Sequence, residues 1–245
     1  MITLYDFAWK LGQGVCWNPH VKQLRYCLNY KGLEYNTIWI EYPDVKDTII
    51  HIGAKPTGFK LQPNGEPWYT LPAIVDDSTD VALAGSAAIV EYLDKTYSST
   101  PQLIPKGTHA LQAAFRDAFY PKLAEYYPFL VPITETMLNP PSAAFFRAKY
   151  EDIFGKKLED VLPKGEERVV VWNKWKETIG GVDAWMKKED MWIMGDKVSF
   201  ADFILASFIL SAKTLFGADS QEYKEVLEMH DGRWGRLAKN VERYN

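Results

Sequence analysis

Residues 98–107, SSTPQLIPKG, divide the chain into two stretches whose apolar patterns require different folds. Before this Pro- and Gly-punctuated segment, short β-rich runs alternate with helical spacing; after it, helical periodicity continues with no convincing hairpin signal. This pattern predicts an α/β domain over residues 1–97, a linker over 98–107 and an all-α bundle over 108–245. A chain of 245 residues, 47% of them hydrophobic, has enough apolar material for both cores.

Within the first part, Ile2 to Ala8 reads as a strand, Pro19 to Lys31 as a helix closed by Gly32, and Thr37 to Tyr42 as a second strand. A short helix is predicted around Val45 to Ile52, followed by a loop rich in Pro and Gly. Leu71 to Gly85 reads as two short strands joined by a turn at Asp76 to Asp80, and Ser86 to Lys95 returns to helical spacing. The order is β-α-β, an irregular middle, then β-β-α. The helical remainder is expected to break at Leu138 to Ser142, at Leu162 to Glu167 and near Gly195.

Composition narrows the function classes. With 28 basic and 32 acidic residues and no basic block, nucleic acid is excluded as an expected partner. No run reaches the ~20 apolar residues of a membrane span, and MITLYDFAWK lacks the basic head and apolar stretch of a signal peptide, so a cytoplasmic protein is expected. Cys16 and Cys27 fall at the start and middle of one predicted helix, on different faces, and do not suit a disulfide. The four histidines are scattered, and no metal site is expected.

Three stretches offer chemistry. In CWNPH, Asn18 and Pro19 are a complete helix start, cap followed by first-turn proline; the same pair also sets an amide at a positive helix end, where an anion or thiolate is stabilised. In YTLPAI, Pro72 suits an edge strand, or else Leu71-Pro72 is a cis peptide that turns the Leu71 backbone outward to pair with an extended peptide ligand. In ALAGSAAIVEYLDKTY, Ser86 is a candidate N-cap without a capping-box acid, since position 89 is Ile, which leaves N–H donors free for a carboxylate.

Taken together, Asn18-Pro19, the Leu-Pro before the third strand, the GS…IVEYLDKTY helix, the Pro-containing linker and GDKVSFADFILASF resemble the cytosolic glutathione transferases along essentially the whole chain. In the last of these, Ser199 and Asp202 make an S-x-x-D capping box, with Val198 placed to staple against Phe203. The run from Cys16 to Val45 and the closing DGRWGRL are most similar to a group from wood-decay fungi related to bacterial lignin etherases. The resemblance implies a thioredoxin-like first domain, a helical second domain, glutathione as co-substrate, a hydrophobic or phenolic second ligand and a homodimer.

Carried onto this sequence, the family's catalytic position is Asn18, where Ser, Cys or Tyr is usual. Leu71, before Pro72, offers its backbone to the cysteinyl unit; Ser86 matches the γ-glutamyl carboxylate binder, its usual acidic predecessor being Gly85 here; Lys60 matches a lysine reaching the glycyl carboxylate. Trp17, Phe119 and Tyr120 are the expected hydrophobic co-substrate residues, in a cleft between the domains near Trp68 and Tyr69 that suits a planar aromatic ligand.

A free thiol titrates near ~8.5, so a useful enzyme lowers it by ~2 units, or roughly 2.7 kcal/mol. The helix end supplies ~0.3 to 1 kcal/mol and a donor to the thiolate ~1.5 to 3 kcal/mol, so both are needed. Asn18 accepts from the helix with its oxygen and donates with its NH₂, but it forms no mixed disulfide. That favours conjugation to aromatic electrophiles or peroxide reduction; the alternatives are a non-catalytic binder of phenolic compounds and glutathione-dependent cleavage of an aryl ether. Cys16 reads either as a displaced nucleophile or as a small loop residue packed under Trp17.

Overall fold

The computed structural model describes every residue except 13, 58–64 and 66. The strand β1 (Ile2–Phe7) is buried along nearly its whole length, as a run with both faces covered must be. It pairs in parallel with β2 (Tyr35–Ile40) and antiparallel with β3 (Ala73–Asp76), and β4 (Val81–Ala84) closes the sheet in the order β2-β1-β3-β4. This mixed sheet, with the helices α1 (Pro19–Lys31), α2 (Val45–His51) and α3 (Ser86–Thr96), is the expected thioredoxin-like arrangement.

The α1 boundaries follow from its ends. Asn18 is extended at φ −77 and its Oδ1 accepts from His20 N at 2.9 Å and Val21 N at 3.3 Å, while Pro19 occupies a first-turn position that needs no N–H. Gly32, at φ 67, closes the helix with bonds from Gly32 N to Asn29 O and from Leu33 N to Leu28 O, each 3.0 Å. Cys16 therefore precedes α1 rather than starting it.

The second strand sits two residues earlier than the sequence suggests. Its parallel register with β1 runs from Ile2 opposite Tyr35 to Phe7 opposite Ile40 and ends there. Tyr42–Asp44 then form a 3-10 turn, for which Pro43, lacking a ladder donor, is suited. That turn brings the Tyr42 ring off the sheet edge and stacks it 4.2 Å from Phe7.

The helical part comprises α4 (His109–Phe119), α5 (Tyr127–Met137), α6 (Pro140–Phe154), α7 (Leu158–Val161), α8 (Gly165–Asp183), α9 (Phe200–Ile209), α10 (Ser211–Phe216) and α11 (Gln221–Val241). Every residue of α9 is buried, and it packs on α1, α4 and α11. Its first turn is fully employed: Asp202 accepts from Ser199 N at 2.8 Å and Ile193 N at 2.6 Å, Gln112 Oε1 accepts from Ala201 N, and Leu103 O accepts from Phe200 N. Burial pushes the Asp202 carboxyl up to about 7, against these donors.

Leu103 belongs to the expected linker, which is held at its other side by Asp94. That carboxylate accepts from Leu103 N, Ile104 N and the buried ammonium of Lys31, the last at 2.8 Å. The segment thus ties α1, α3 and α9 together.

Candidate functional site

Asn18, Leu71-Pro72 and the start of α3 are brought to one end of the sheet. The Leu71-Pro72 peptide is cis, and among the described residues the Leu71 N–H has no hydrogen-bond acceptor. Pro72 O accepts from Gly85 N at 2.9 Å, which sets the N-terminus of α3 beside this loop. Thr57 lies alongside both: its N–H donates to Trp68 O, and its Oγ1 is 3.4 Å from Thr70 O.

Gly85, not Ser86, is the residue before the first turn of α3, so the Ser86 hydroxyl is not spent on a cap. Gly85 has φ 93 and ψ 125, a conformation that side chains oppose, and a Cβ there would lie 2.9 Å from Thr57 Cγ2. Both facts disfavour an acidic side chain at this position. Lys60 lies outside the described residues.

Asn18 is 8% exposed. Its oxygen is committed to the α1 backbone, which fixes the amide orientation and turns Nδ2 away from the helix. Burial pushes the Tyr42 phenol well above its usual value, and the nearby Asn18 side chain opposes that shift. The amide nitrogen carries two hydrogens that can be offered to a ligand atom.

Tyr42 opens onto a cleft of about 590 Å³ between the two parts of the chain. Its α/β wall includes Phe7, Tyr42, Trp68 and Tyr69, and its helical wall is one face of α6, with Phe145, Lys149 and Ile153 at helical spacing. The Lys149 ammonium stands 4.1 Å over the Trp68 ring, and burial lowers its pKa. Ser142 and Asn139, at the start of α6, both donate to the Glu41 carboxylate, and Ser142 Oγ accepts from Tyr42 N at 2.8 Å. These bonds fix the helix against the turn that carries Tyr42.

The expected co-substrate residues divide differently. Trp68 and Tyr69 line the cleft, whereas Phe119 is fully buried and stacks on Phe115 at 5.8 Å. Tyr120 starts a 3-10 turn at Pro121 and packs against Phe208 and His20. His20, lowered to about 4 by burial, is neutral near pH 7. Trp17 lies behind the cleft, 5.7 Å from Phe7 and 6.3 Å from Tyr42.

Cys16 does not have the setting of a nucleophile. Burial raises its pKa well above the ordinary thiol value, the neighbouring Asp6 carboxylate adds to the shift, and its Sγ is 3.5 Å from Asn18 O. Asp6 is itself buried in an ion pair with Arg25 at 2.9 Å. Tyr42 and the α6 face were missed from sequence; the signal available for the latter was the i, i+4, i+8 spacing of Phe145, Lys149 and Ile153.

Among the described residues, no cluster of His, Cys, Asp and Glu is arranged to hold a metal ion, and no helix is long and apolar enough to cross a membrane. Family models described as the N-terminal and C-terminal domains of glutathione S-transferase match residues 17–96 and 110–244. A glutathione S-transferase of Ceriporiopsis subvermispora, crystallised in complex with glutathione, is 39% identical with a TM-score of 0.92, covering 100% of this chain and 97% of that one. A glutathione transferase of Phanerochaete chrysosporium is 35% identical with a TM-score of 0.91, over 100% of this chain and 97% of its own. A glutathione S-transferase-like protein of Aspergillus flavus is 30% identical over 92% of this chain and 84% of its own. With both halves matched and the sheet, capping box and helical bundle in place, this chain belongs to the glutathione S-transferase family.

Proposed function

We propose that the chain binds glutathione across Leu71, Ser86 and Asn18, holds its sulfur as the thiolate at the start of α1, and delivers it to a planar aromatic electrophile in the cleft beside Tyr42. The observation that carries this reading is the fixed Asn18 amide. Its oxygen caps the helix, and its nitrogen, turned away from the helix backbone, is available to sulfur at the positive helix end. Among the described residues the Leu71 N–H and the Ser86 hydroxyl have no hydrogen-bond partner; the first suits the backbone of a peptide-like ligand, and the second, with the first N–H groups of α3, suits a carboxylate.

In conjugation, the thiol proton leaves to solvent, sulfur attacks the electrophilic carbon, and the leaving group departs with its electron pair. Asn18 stabilises the thiolate before attack. Trp68, Tyr69 and Phe145 present flat apolar surface for the second substrate, and the Lys149 ammonium favours one with an electron-rich or anionic substituent.

A second reading, passive binding of phenolic compounds, is supported by Gly85, which leaves the glutathione amine without the acid usual at that position. Titration calorimetry with glutathione, with and without a phenolic ligand, separates the two. Saturable glutathione binding is the expected result. No glutathione binding with the phenol still bound would replace the transferase reading with the binder.

A further inference from the structure

Glu41 stands between β2 and the turn that carries Tyr42, and its side chain reaches from the α/β part to the start of α6. Its Oε1 accepts from Asn139 Nδ2 at 2.7 Å and its Oε2 accepts from Ser142 Oγ. Ser142 Oγ accepts in turn from Tyr42 N at 2.8 Å, so the bonds close a ring between Glu41 and Tyr42 on one side and the first turn of α6 on the other. Ser142 is fully buried, which keeps water from competing for its two bonds.

The sequence of α6 leaves this place for a carboxylate. Pro140 and Pro141 open the helix without N–H groups, the first turn holds no acid, and the Asn139 side chain at the cap position makes no bond to its own helix. That amide donates to Glu41 instead. A carboxylate from the other part of the chain therefore occupies the positive end of α6, where the helix dipole favours it.

Fixing this end fixes the cleft wall. Ser142, Phe145, Lys149 and Ile153 follow one face of the 15-residue helix at steps of three, four and four residues. Lys149, seven residues on, lies about 10 Å further along the same rigid axis. The Tyr42 ring, 5.2 Å from Phe146 and 6.3 Å from Phe145, holds α6 close, but apolar contact sets no direction. The hydrogen bonds supply the register along the helix. Neither Glu41, Asn139 nor Ser142 lines the cleft.

We propose that Glu41 is a positioning residue for the second substrate, acting through Asn139 and Ser142 to set where α6 presents Phe145 and Lys149 opposite Tyr42 and Trp68. The kinetic consequence rests on the transferase reading; the effect on ligand binding in the cleft does not.

Steady-state kinetics of Glu41→Ala with 1-chloro-2,4-dinitrobenzene are expected to show a KM for that substrate raised about tenfold, with kcat and the KM for glutathione changed by less than about threefold. A variant that merely lost folded protein would lower kcat and leave both KM values in place. Ser142→Ala is expected to raise the same KM by a smaller factor, and the double variant by less than the product of the two, because both substitutions break one linked set of bonds. Glu41→Gln keeps the acceptor for Asn139 and is expected to fall between wild type and Glu41→Ala. Binding is read separately from quenching of tryptophan fluorescence by 2,4-dinitrotoluene, which carries no halide to displace; its Kd is expected to rise about tenfold in Glu41→Ala. Dinitrotoluene binding that depends on Glu41 in a protein that conjugates nothing would remove the transferase reading and support this inference. Wild-type protein that binds no dinitrotoluene, an unchanged KM and Kd in Glu41→Ala, an equal rise in the KM for glutathione, or fully multiplicative losses in the double variant would each overturn it.

Discussion

Replacing Asn18 separates its two jobs. Asn18→Ala removes an oxygen that accepts from His20 N and Val21 N, a loss of about 1 kcal/mol of folding stability on the usual scale of helix caps. It also removes the N–H donor proposed for the thiolate, worth ~1.5 to 3 kcal/mol, which raises the bound thiol pKa by roughly 1 to 2 units. At a pH below both pKa values, kcat/KM with an aryl halide should then fall by about 10- to 100-fold, and the deficit should narrow as pH rises above them. Asn18→Asp distinguishes the jobs, because a carboxylate caps as well as an amide but has no hydrogen to donate and repels the thiolate. Its thermal stability should match or exceed wild type while its rate falls at least as far as that of the alanine variant. Tyr42→Phe leaves both the cap and the amide nitrogen of Asn18 in place, so a shift of less than about one unit in the pH-rate profile is expected. An aspartate variant with the wild-type pH-rate profile would refute the role assigned to Asn18.

Two further substitutions probe the supports of the site. Gly85→Ala should cost about 1 to 2 kcal/mol for its φ of 93 alone, plus the contact with Thr57 Cγ2 at 2.9 Å. Adding Thr57→Ser, which deletes that methyl, should recover only the contact part in urea denaturation; full recovery would show that the backbone conformation carries no penalty. Asp202 should make stability fall as pH rises. Its folded carboxyl titrates at about 7, whereas unfolded it titrates near ~3.9, so between those values the folded state retains a proton that the unfolded chain has released. The contribution is fully present below ~3.9, declines by up to about 1.4 kcal/mol per pH unit, and is gone above the folded pKa. Asp202→Asn should flatten this slope when urea midpoints at pH 4.5 and pH 7 are compared with wild type; an unchanged slope would assign it to other groups.

What the sequence showed and what it concealed divide along the range of the forces involved. The α1 boundaries are legible because Asn18, Pro19 and Gly32 act on their own backbone within a turn, and the Ser199/Asp202 box is legible for the same reason. Tyr42 is concealed because nothing local ends the β-rich run at Ile40; the parallel partner Ile2–Phe7, far earlier in the chain, sets the limit, and only then does Pro43 turn the tyrosine toward Phe7. Phe119 and Tyr120 share a helical pattern with their neighbours, but the chain leaves α4 at Phe119 and tightens at Pro121, which rotates the aromatic face into contact with Phe208 instead of the cleft. The vacant wall is supplied by α6, whose periodicity defined a face but not its partner. Cys16 shows the same limit in electrostatic form. Its place near a helix N-terminus favours a thiolate, yet the Asp6 carboxylate contributed by β1 and the burial imposed by the surrounding packing hold it protonated. The polar group at that helix end left with a free hydrogen is therefore the Asn18 amide, and this makes Asn18→Asp the variant on which the mechanism depends.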